Sequence, residues 1–230
     1  KKRGHDPILC EATDTLGGQF LTAGEAPRKK EMKAAAISMA KKAERLGVDI
    51  RMNTKVTPEM IEEIKPHTVM NAIGAESIIP PIPGVDKAFV KDSHDVLDGK
   101  AEATGNVVVI GGGMVGMETA EYLAEKGAKV SVLEMLPDIC SDMGTTRKIC
   151  MGEEIQKSGI IPVTSIKVTE IGDNVVIGEK DGEKVEFPCD TAVLAIGAKK
   201  RDGSALAETC YKNGIGYFEI GDAAMARRAI

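Results

Sequence analysis

Aromatic side chains are scarce in this sequence of 230 residues, which has no tryptophan, three tyrosines and four phenylalanines. Proteins that bind single-stranded nucleic acid stack bases on aromatic rings and follow the phosphates with a basic stripe. Here acidic residues outnumber basic ones by 35 to 30, and the net charge is −5. The composition therefore argues against nucleic-acid binding.

The sequence also lacks the run of about 20 apolar residues that a membrane-spanning helix needs. Its basic start, residues 1–3, continues into Gly-His-Asp-Pro, which is not the apolar stretch of a signal peptide. We therefore expect a cytoplasmic protein without membrane association.

Cysteines are few, odd in number and spaced in no zinc-binding or Cys-x-x-Cys pattern. They are Cys10, Cys140, Cys150, Cys189 and Cys210. This pattern predicts free, mostly buried thiols in a reducing compartment, with neither a redox-active disulfide nor a metal site.

An internal repeat organises what is present. Residues 1–11 (KKRGHDPILCE) align with residues 124–134 (AEKGAKVSVLE), which places glycine on glycine and glutamate on glutamate. At the same offset of 123 residues, NAIGA at 71–75 aligns with LAIGA at 194–198. Two separate motifs at one offset indicate two copies of one structural unit.

The second copy carries a complete strand–helix–strand pattern. The apolar run Val107–Ile110 is typical of a strand buried on both faces. Met114–Lys126 has apolar residues at helical spacing, and Gly127 is suited to end that helix. Lys129–Leu133 then predicts a second strand, and Glu134 follows it.

Glycines connect the first strand of this unit to its helix. Gly111, Gly113 and Gly116 have the G-x-G-x-x-G spacing, in which the glycines permit a tight turn, a close pyrophosphate and close helix–strand packing. The helix N-terminus would offer N–H groups to the phosphates. The strand before the motif, the helix after it and Glu134 favour a dinucleotide site over a merely structural turn.

Glu134 also bears on the choice of nicotinamide cofactor. Its carboxylate can accept hydrogen bonds from ribose hydroxyls, whereas a 2′-phosphate there would meet a like charge. At about 4 Å and an effective dielectric near 20, one such pair costs roughly 4 kcal/mol. No arginine occurs among residues 135–137. We therefore predict NADH over NADPH; the alternative is a solvated acid at a strand end.

The first copy differs, because its glycine loop would fall before residue 1 at the same offset. By alignment, Lys1–Gly4 would be the last turn of a helix, Asp6–Cys10 the next strand and Glu11 the ribose-binding acid. The predicted fold class is therefore α/β. It has two Rossmann-like dinucleotide-binding subdomains, each with a small antiparallel excursion, and the first lacks its initial strand and glycine loop.

The remaining segments complete this organisation. Pro27–Arg45 and Thr145–Lys157 are predicted helices, and residues 168–187 predict a small antiparallel meander. Ser93, His94 and Asp95 resemble a triad in composition only. Adjacent helical residues do not face each other, which favours the start of a surface helix.

Five stretches together resemble a two-dinucleotide flavoprotein of the pyridine-nucleotide oxidoreductase type. They are EATDTLGGQF (11–20), NAIGAESIIPPIPG (71–84), VVVIGGGMVGMETAEYL (107–123), LAIGAKKRDGSAL (194–206) and FEIGDAAMARRAI (218–230). More narrowly, the chain resembles the C-terminal part of the NADH:flavin oxidoreductases, a group that includes 2,4-dienoyl-CoA reductase, enoate reductase and trimethylamine dehydrogenase.

The resemblance implies two cofactors in this region, FAD and NADH, with residues 1–76 and 199–230 holding FAD and residues 77–198 holding NAD(H). It also implies an N-terminal barrel, absent from these residues, that carries FMN and a 4Fe–4S cluster. The implied function is electron input: hydride passes from NADH to FAD for transfer to the barrel, which reduces an enoate or dienoyl-CoA type substrate. A homo-oligomer is compatible with the resemblance.

Several residues match the family's FAD-binding positions. The resemblance places Glu11 on the FAD adenosine ribose. It places Gly17, Gly18 and Gln19 in the loop along the pyrophosphate and ribityl chain, and Val56 near the adenine. An ordinary turn is the alternative for the two glycines.

Further matches lie later in the chain. Ala72 and Gly74 correspond to a small-residue turn that crosses close to the cofactor. Gly221 and Asp222 correspond to a late Gly-Asp motif whose acid holds a ribityl hydroxyl, and a plain helix cap is the alternative for this acid. Gly197 is the second-copy partner of Gly74 on the NAD side, where Met114 and Val115 lie within the glycine motif. No catalytic residue is expected from the protein.

Two other functions stay open. The chain could be a non-catalytic module that holds ADP or NAD as a structural or regulatory ligand. It could also belong to a stand-alone FAD-dependent NADH oxidase or rubredoxin reductase.

Overall fold

The computed structural model describes residues 1–141 and 143–226, with no account of the side chains of residues 145–147. Two compact units divide the chain. The first unit comprises Lys1–Gly24, Lys30–Glu76 and the chain from Ala198 onward, and the second comprises Glu25–Lys29 and Ser77–Gly197.

The described residues form both helices and strands. The helices are α1 (Gln19–Ala23), α2 (Lys30–Arg45), α3 (Pro58–Ile64), α4 (Ser93–Leu97), α5 (Met114–Glu125), α6 (Thr145–Ser158) and α7 (Ser204–Lys212), with a short 3₁₀ helix at Gly221–Ala223. The strands are β1 (Ile8–Cys10), β2 (Asp49–Arg51), β3 (Thr68–Asn71), β4 (Ala75–Ser77), β5 (Val90–Asp92), β6 (Asn106–Ile110), β7 (Lys129–Leu133), β8 (Ile161–Val163), β9 (Lys167–Ile171), β10 (Val175–Lys180), β11 (Glu183–Pro188), β12 (Thr191–Leu194), β13 (Ala198–Lys200) and β14 (Gly216–Glu219).

The second unit is built on a five-stranded sheet in the order β5-β12-β6-β7-β8, and every neighbouring pair is parallel. Strand β6, helix α5 and strand β7 follow one another in the chain, as the glycine motif predicted. The meander expected at residues 168–187 is the antiparallel sheet β11-β10-β9. The α/β, Rossmann-like fold class is confirmed.

Alternate residues of β6 supply two cores on opposite faces of this sheet. Val107 and Val109 pack in a cluster with Met117 and Leu123 of α5. On the other face, Val108 joins a second cluster that includes apolar residues of the meander. A strand covered on both faces has to be apolar throughout, which explains the run of four apolar residues.

The first unit repeats the strand pairings of the second. Strand β1 pairs with β2 in parallel, with Ile8 opposite Asp49, and β7 pairs with β8 in parallel, with Ser131, the repeat partner of Ile8, opposite Ile161. Likewise, β3 pairs with β14 as β12 pairs with β5. Within the described residues, however, no strand of the first unit corresponds to β6, and its parallel strands form two separate pairs.

Two predicted helix boundaries are wrong. Lys1–Gly4 is not the end of a helix but a turn, in which the Gly4 N–H donates to the Lys1 carbonyl. The helix predicted over Pro27–Arg45 begins only at Lys30 as α2, because Arg28 has a left-handed backbone with φ of 63°. Helix α6 begins at Thr145 as predicted.

Ser93, His94 and Asp95 open helix α4, as predicted, but the expected exposure is wrong, since Ser93 is buried and His94 is half-buried. Asp92 caps the helix by accepting the His94 N–H at 2.8 Å. The His94 Nδ1 lies 3.1 Å from Ser77 Oγ and 3.3 Å from Asp92 Oδ1. The hydrogen bond to Asp92 outweighs burial and raises the pKa of His94. Burial raises the pKa of Asp92, but hydrogen bonds from His94 and Ser77 lower it to about 2.

We predict that Asp92→Asn removes a pH-dependent part of the stability of the second unit. Because the pKa of folded His94 is raised, its contribution is fully present below the unfolded value of about 6.5 and is lost as pH rises through the folded value. Asparagine keeps the helix cap but not the charge. The loss of unfolding free energy caused by D92N, obtained from thermal unfolding curves, should therefore be about 1 kcal/mol larger at about pH 5.5 than at about pH 8.5. The exposed Asp86→Asn is the matched control; a D92N difference that does not change with pH would contradict this.

All five cysteines are free thiols, and Cys140, Cys189 and Cys210 are buried. None of the helices in the described ranges is both long and apolar enough to cross a bilayer. Across residues 1–141 and 143–226, no group of three or more His, Cys, Asp or Glu side chains is arranged to hold a metal ion.

Candidate functional site

The glycine loop lies at the carboxyl edge of the five-stranded sheet. Gly111 directly follows β6, and its N–H donates to the Leu133 carbonyl at the end of β7. At the end of β12, the Ala195 N–H donates to the Ile110 carbonyl. The loop, Glu134 and the end of β12 therefore meet at one edge, which is where open parallel sheets bind ligands.

Gly111 and Gly116 are required by close backbone packing. A Cβ added to Gly116 would lie 1.9 Å from the Gly111 carbonyl oxygen, and one added to Gly111 would lie 2.4 Å from the Ala195 oxygen. Gly111 also has a φ of 110°, outside the range of most L residues. These two glycines permit the turn and the contact between helix and strand.

Gly113 has a different reason to be glycine. A Cβ there would meet no protein atom within 4 Å, and its φ of −72° suits any residue. It caps α5 without a side chain, and the first turn of α5 has no acidic residue. The first N–H groups of a helix have no partner within it. The N-terminus of a helix also carries a partial positive charge. The open space beside these N–H donors is therefore suited to a pyrophosphate.

The other predicted residues of this unit lie around the loop. Met114 is half-buried against the core, and Val115 is exposed at the first turn of α5. Gly197 has a φ of 108° and open surroundings, with only the Ile78 Cδ1 within 4 Å of an added Cβ.

Glu134 is held by backbone N–H groups at both carboxylate oxygens. Oε2 accepts the Gly112 N–H at 2.7 Å, and Oε1 accepts the Leu136 N–H at 2.8 Å. Each carboxylate oxygen has about two acceptor sites, so one per oxygen is left for ribose hydroxyls. No sequence pattern indicated these two hydrogen-bond partners.

Glu11 repeats this arrangement in the first unit. Its Oε1 accepts the Thr13 N–H at 2.8 Å, as Glu134 accepts the N–H two residues ahead. The main chain is also equivalent: the Glu11 N–H donates to the Arg51 carbonyl, and the Glu134 N–H donates to the Val163 carbonyl. For Glu11 Oε2, no partner is described in residues 1–141 and 143–226.

Other glycines of the first unit also have open surroundings. An added Cβ at Gly18, Gly74 or Gly221 would meet nothing within 4 Å, and all three have positive φ. By contrast, a Cβ at Gly17 would lie 2.7 Å from Leu21 Cγ, so this glycine is also required by packing against α1. Ala72 is exposed directly after β3.

One of these residues differs from expectation: Gln19 is the first residue of α1 rather than part of the preceding loop. The side chain of Val56 packs against the core of the first unit, and its place near the adenine stays a prediction. Asp222 is not a helix cap, since the 3₁₀ helix begins at Gly221 and its cap position is Ile220. The end of the matching stretch, residues 227–230, lies outside the described residues.

A basic segment at Glu25–Lys29, which we call the strap, was missed by the sequence reasoning. Arg28 contacts Glu121 at 2.8 Å and Glu154 at 3.1 Å, while Lys29 pairs with Glu118. These partners lie about 90 to 130 residues away, so no local pattern could have revealed them.

The acids that the strap contacts lie on the helix of the glycine motif. The side chains of Glu118 and Glu121 in α5 are only 11% and 7% exposed. Burial raises the pKa of Glu121, and Arg28 opposes that rise. The strap therefore supplies positive charge to a helix that buries two carboxylates.

Comparison with known families agrees with this geometry. Residues 35–220 match the family model described as pyridine nucleotide-disulphide oxidoreductase, which is well over half of the chain. The chain belongs to this family. Family membership implies that it binds FAD and a nicotinamide dinucleotide, and that it is part of an oxidoreductase.

Individual relatives are considerably longer than this chain. It is 42% identical over 197 residues to a bilirubin reductase of Mediterraneibacter gnavus, covering 86% of this chain and 31% of the relative. It is 40% identical over 227 residues to an NADH oxidase of Thermoanaerobacter brockii, covering 96% and 35%. The chain thus spans about a third of the length of these curated relatives.

A solved structure of a 2-naphthoyl-CoA reductase in complex with 2-naphthoyl-CoA is also similar. The TM-score is 0.92 at 29% identity, over 99% of this chain and 34% of that one. The similarity covers both units described here.

The residues of the second unit fit a nicotinamide dinucleotide. Gly113 leaves room beside the N-terminus of α5, and Glu134 presents oriented acceptor sites. The first unit fits part of FAD, since Glu11 and several glycines with open surroundings follow its strands.

Proposed function

We propose that this chain is the electron-input part of a flavin oxidoreductase, in which NADH binds the second unit and FAD binds the first. The observation that carries the proposal is the open space at Gly113, which caps α5 and directly follows Gly112, the residue whose N–H binds Glu134. When bound, the nicotinamide and flavin supply the hydride chemistry between them.

The protein residues bind and orient in this proposal. The N–H groups at the start of α5 hold the pyrophosphate, and Glu134 accepts hydrogen bonds from the adenosine ribose. In the first unit, Glu11 does the same for FAD, and Gly17 and Gly18 let the backbone approach the cofactor. No nucleophile or general base is required, because each step is a transfer between cofactors.

Glu11 supports the further proposal that FAD binding needs residues outside these 230. In the second unit, the carboxylate oxygen equivalent to Glu11 Oε2 accepts an N–H from the glycine loop. The first unit has no described counterpart of that loop or of β6. We therefore expect the 230-residue chain to bind FAD weakly and the full-length protein to bind it tightly.

The relatives' extra length supports an upstream partner domain. We propose that this is the FMN and 4Fe–4S barrel of the NADH:flavin oxidoreductases, and that electrons pass to it from FAD. The names of the similar proteins include reductases of bilirubin and of a naphthoyl-CoA ester. These names support reduction of an unsaturated organic substrate by the whole protein, of the enoate or dienoyl-CoA type.

A second candidate is a non-catalytic module that holds ADP or NAD. It is favoured by the same glycine loop, because this loop contacts only the ADP half of a dinucleotide. The two candidates differ in whether bound NADH reduces FAD.

Anaerobic stopped-flow mixing of full-length, FAD-loaded protein with NADH tests the proposal. We expect loss of the flavin's visible absorption with NADH, and about tenfold weaker binding of NADPH, because a 2′-phosphate would lie beside Glu134. The penalty is smaller than the full Coulomb repulsion because Glu134 is only half-buried, so solvent screens its charge. NADH binding without flavin reduction would favour the non-catalytic module, and equal affinities would contradict the preference.

A further inference from the structure

The geometry points to Glu134 as a positioning residue for the glycine loop, in addition to its contact with ribose. The inference rests on the proposed function for its nucleotide part only. Oε2 of Glu134 accepts the N–H of Gly112, the residue between the first two glycines of the motif. In this inference, Glu134 both accepts hydrogen bonds from the ribose and holds the glycine loop in place for binding of the phosphates.

Gly112 is fixed by the segment that follows β7. Its N–H donates to Glu134, and its carbonyl accepts the Cys140 N–H at 2.8 Å. An added Cβ would lie 2.9 Å from the Glu134 Cβ and 3.0 Å from the Ile139 Cγ2. Both polar backbone groups of Gly112 thus form hydrogen bonds with residues 134–140. The same segment leaves no space for a side chain at position 112.

This contact affects the direction of the phosphate donors. Gly112 is bonded directly to Gly113, which caps α5 and borders the open space. A hydrogen bond from an N–H to a carboxylate is stronger than one between neutral groups. Because Glu134 is itself fixed by the Leu136 N–H, contacts within the protein hold the loop. Such preorganisation lowers the entropy lost on binding.

Replacement of Glu134 by glutamine separates the two roles. A carboxylate can accept both the Gly112 and the Leu136 N–H groups, whereas the amide has one oxygen and places an NH₂ donor against the other N–H. Without nucleotide, we expect hydrogen exchange of the Gly112 amide to become about tenfold faster in E134Q. Asp138→Asn removes a charge from the same loop, where Asp138 accepts a hydrogen bond from Lys148 rather than from Gly112, and should leave this exchange unchanged.

Nucleotide binding is then measured with NAD and with an analogue whose adenosine ribose lacks both hydroxyls. If Glu134 acted only on the ribose, E134Q would not change the affinity for the dideoxy analogue. If Glu134 positions the loop, E134Q lowers the affinity for the dideoxy analogue as well, by about tenfold. Full-length protein and isothermal titration calorimetry are used for both ligands, with Asp138→Asn as the control.

The outcomes distinguish this inference from the proposed function. Unchanged Gly112 exchange, or unchanged affinity for the dideoxy analogue, overturns the positioning role. If the wild-type protein binds neither ligand, the proposed function is wrong. Faster Gly112 exchange in E134Q would still support the positioning role in that case. Should E134Q not fold, Glu134→Asp keeps the charge but is too short to reach both N–H groups, and the same faster exchange is expected.

Discussion

Replacement of Gly113 by alanine is expected to weaken NADH binding by about 100-fold, or about 2.7 kcal/mol, without loss of stability. In the protein alone, the new methyl group would meet no atom within 4 Å, and the backbone at φ of −72° suits alanine. The methyl group would instead enter the space that we assign to the pyrophosphate. Titration with NADH and a urea unfolding curve measure the two effects separately.

Gly116→Ala is the informative contrast to this variant. Alanine favours a helix by about 1 kcal/mol over glycine, which alone would stabilise α5. Its Cβ would, however, lie 1.9 Å from the Gly111 carbonyl oxygen, so helix and loop must separate. We expect G116A to lose both stability and binding. If G113A lost as much stability as G116A, the added methyl group would be meeting protein atoms. The assignment of the space at Gly113 to the pyrophosphate would then be wrong.

Replacement of Lys29 by glutamine is expected to destabilise the second unit by about 2 kcal/mol. Removing one partner of a buried ion pair costs about 3–5 kcal/mol, because the other charge is left without compensation. The side chains of Lys29 and Glu118 are 19% and 11% exposed, so we expect a smaller effect than for full burial. Denaturant-dependent hydrogen exchange of the α5 amides measures the free energy of opening in this unit.

The neighbouring residue provides a matched control for the strap. Lys30 is exposed at the start of α2, so Lys30→Gln should change stability by less than about 0.5 kcal/mol. The double variant with Lys29→Gln and Glu118→Gln should recover part of the loss, since it removes both charges. Equal effects of the two lysine replacements would show that the Lys29–Glu118 pair does not stabilise the unit.

The features predicted successfully are those that local spacing determines. The glycine motif predicted β6, α5 and β7, because a tight turn, a helix of 3.6-residue period and a buried strand each leave a local pattern. The repeat offset likewise related Glu11 to Glu134, and in the structure the N–H of each acid donates to a main-chain carbonyl at the equivalent position, Arg51 and Val163.

The features that were missed depend on contacts distant in sequence. The hydrogen bond between Arg28 and Glu121 joins residues 93 positions apart, and that between Gly112 and Glu134 joins two residues 22 positions apart. Neither charge pairing nor a backbone N–H leaves a periodic signal at such distances. The start of α2 was misplaced for the same reason, since the left-handed conformation of Arg28 accompanies these tertiary ion pairs.

The strap has a consequence for how this protein can be divided. Its residues, Glu25–Lys29, lie within the first half of the sequence, between helices α1 and α2, yet they belong to the second unit. A recombinant piece cut at Ser77 and Gly197 would omit them, and α5 would keep Glu118 and Glu121 without these two cations. The second unit is thus not independently transferable, and grafting it into another protein would require carrying those five residues along.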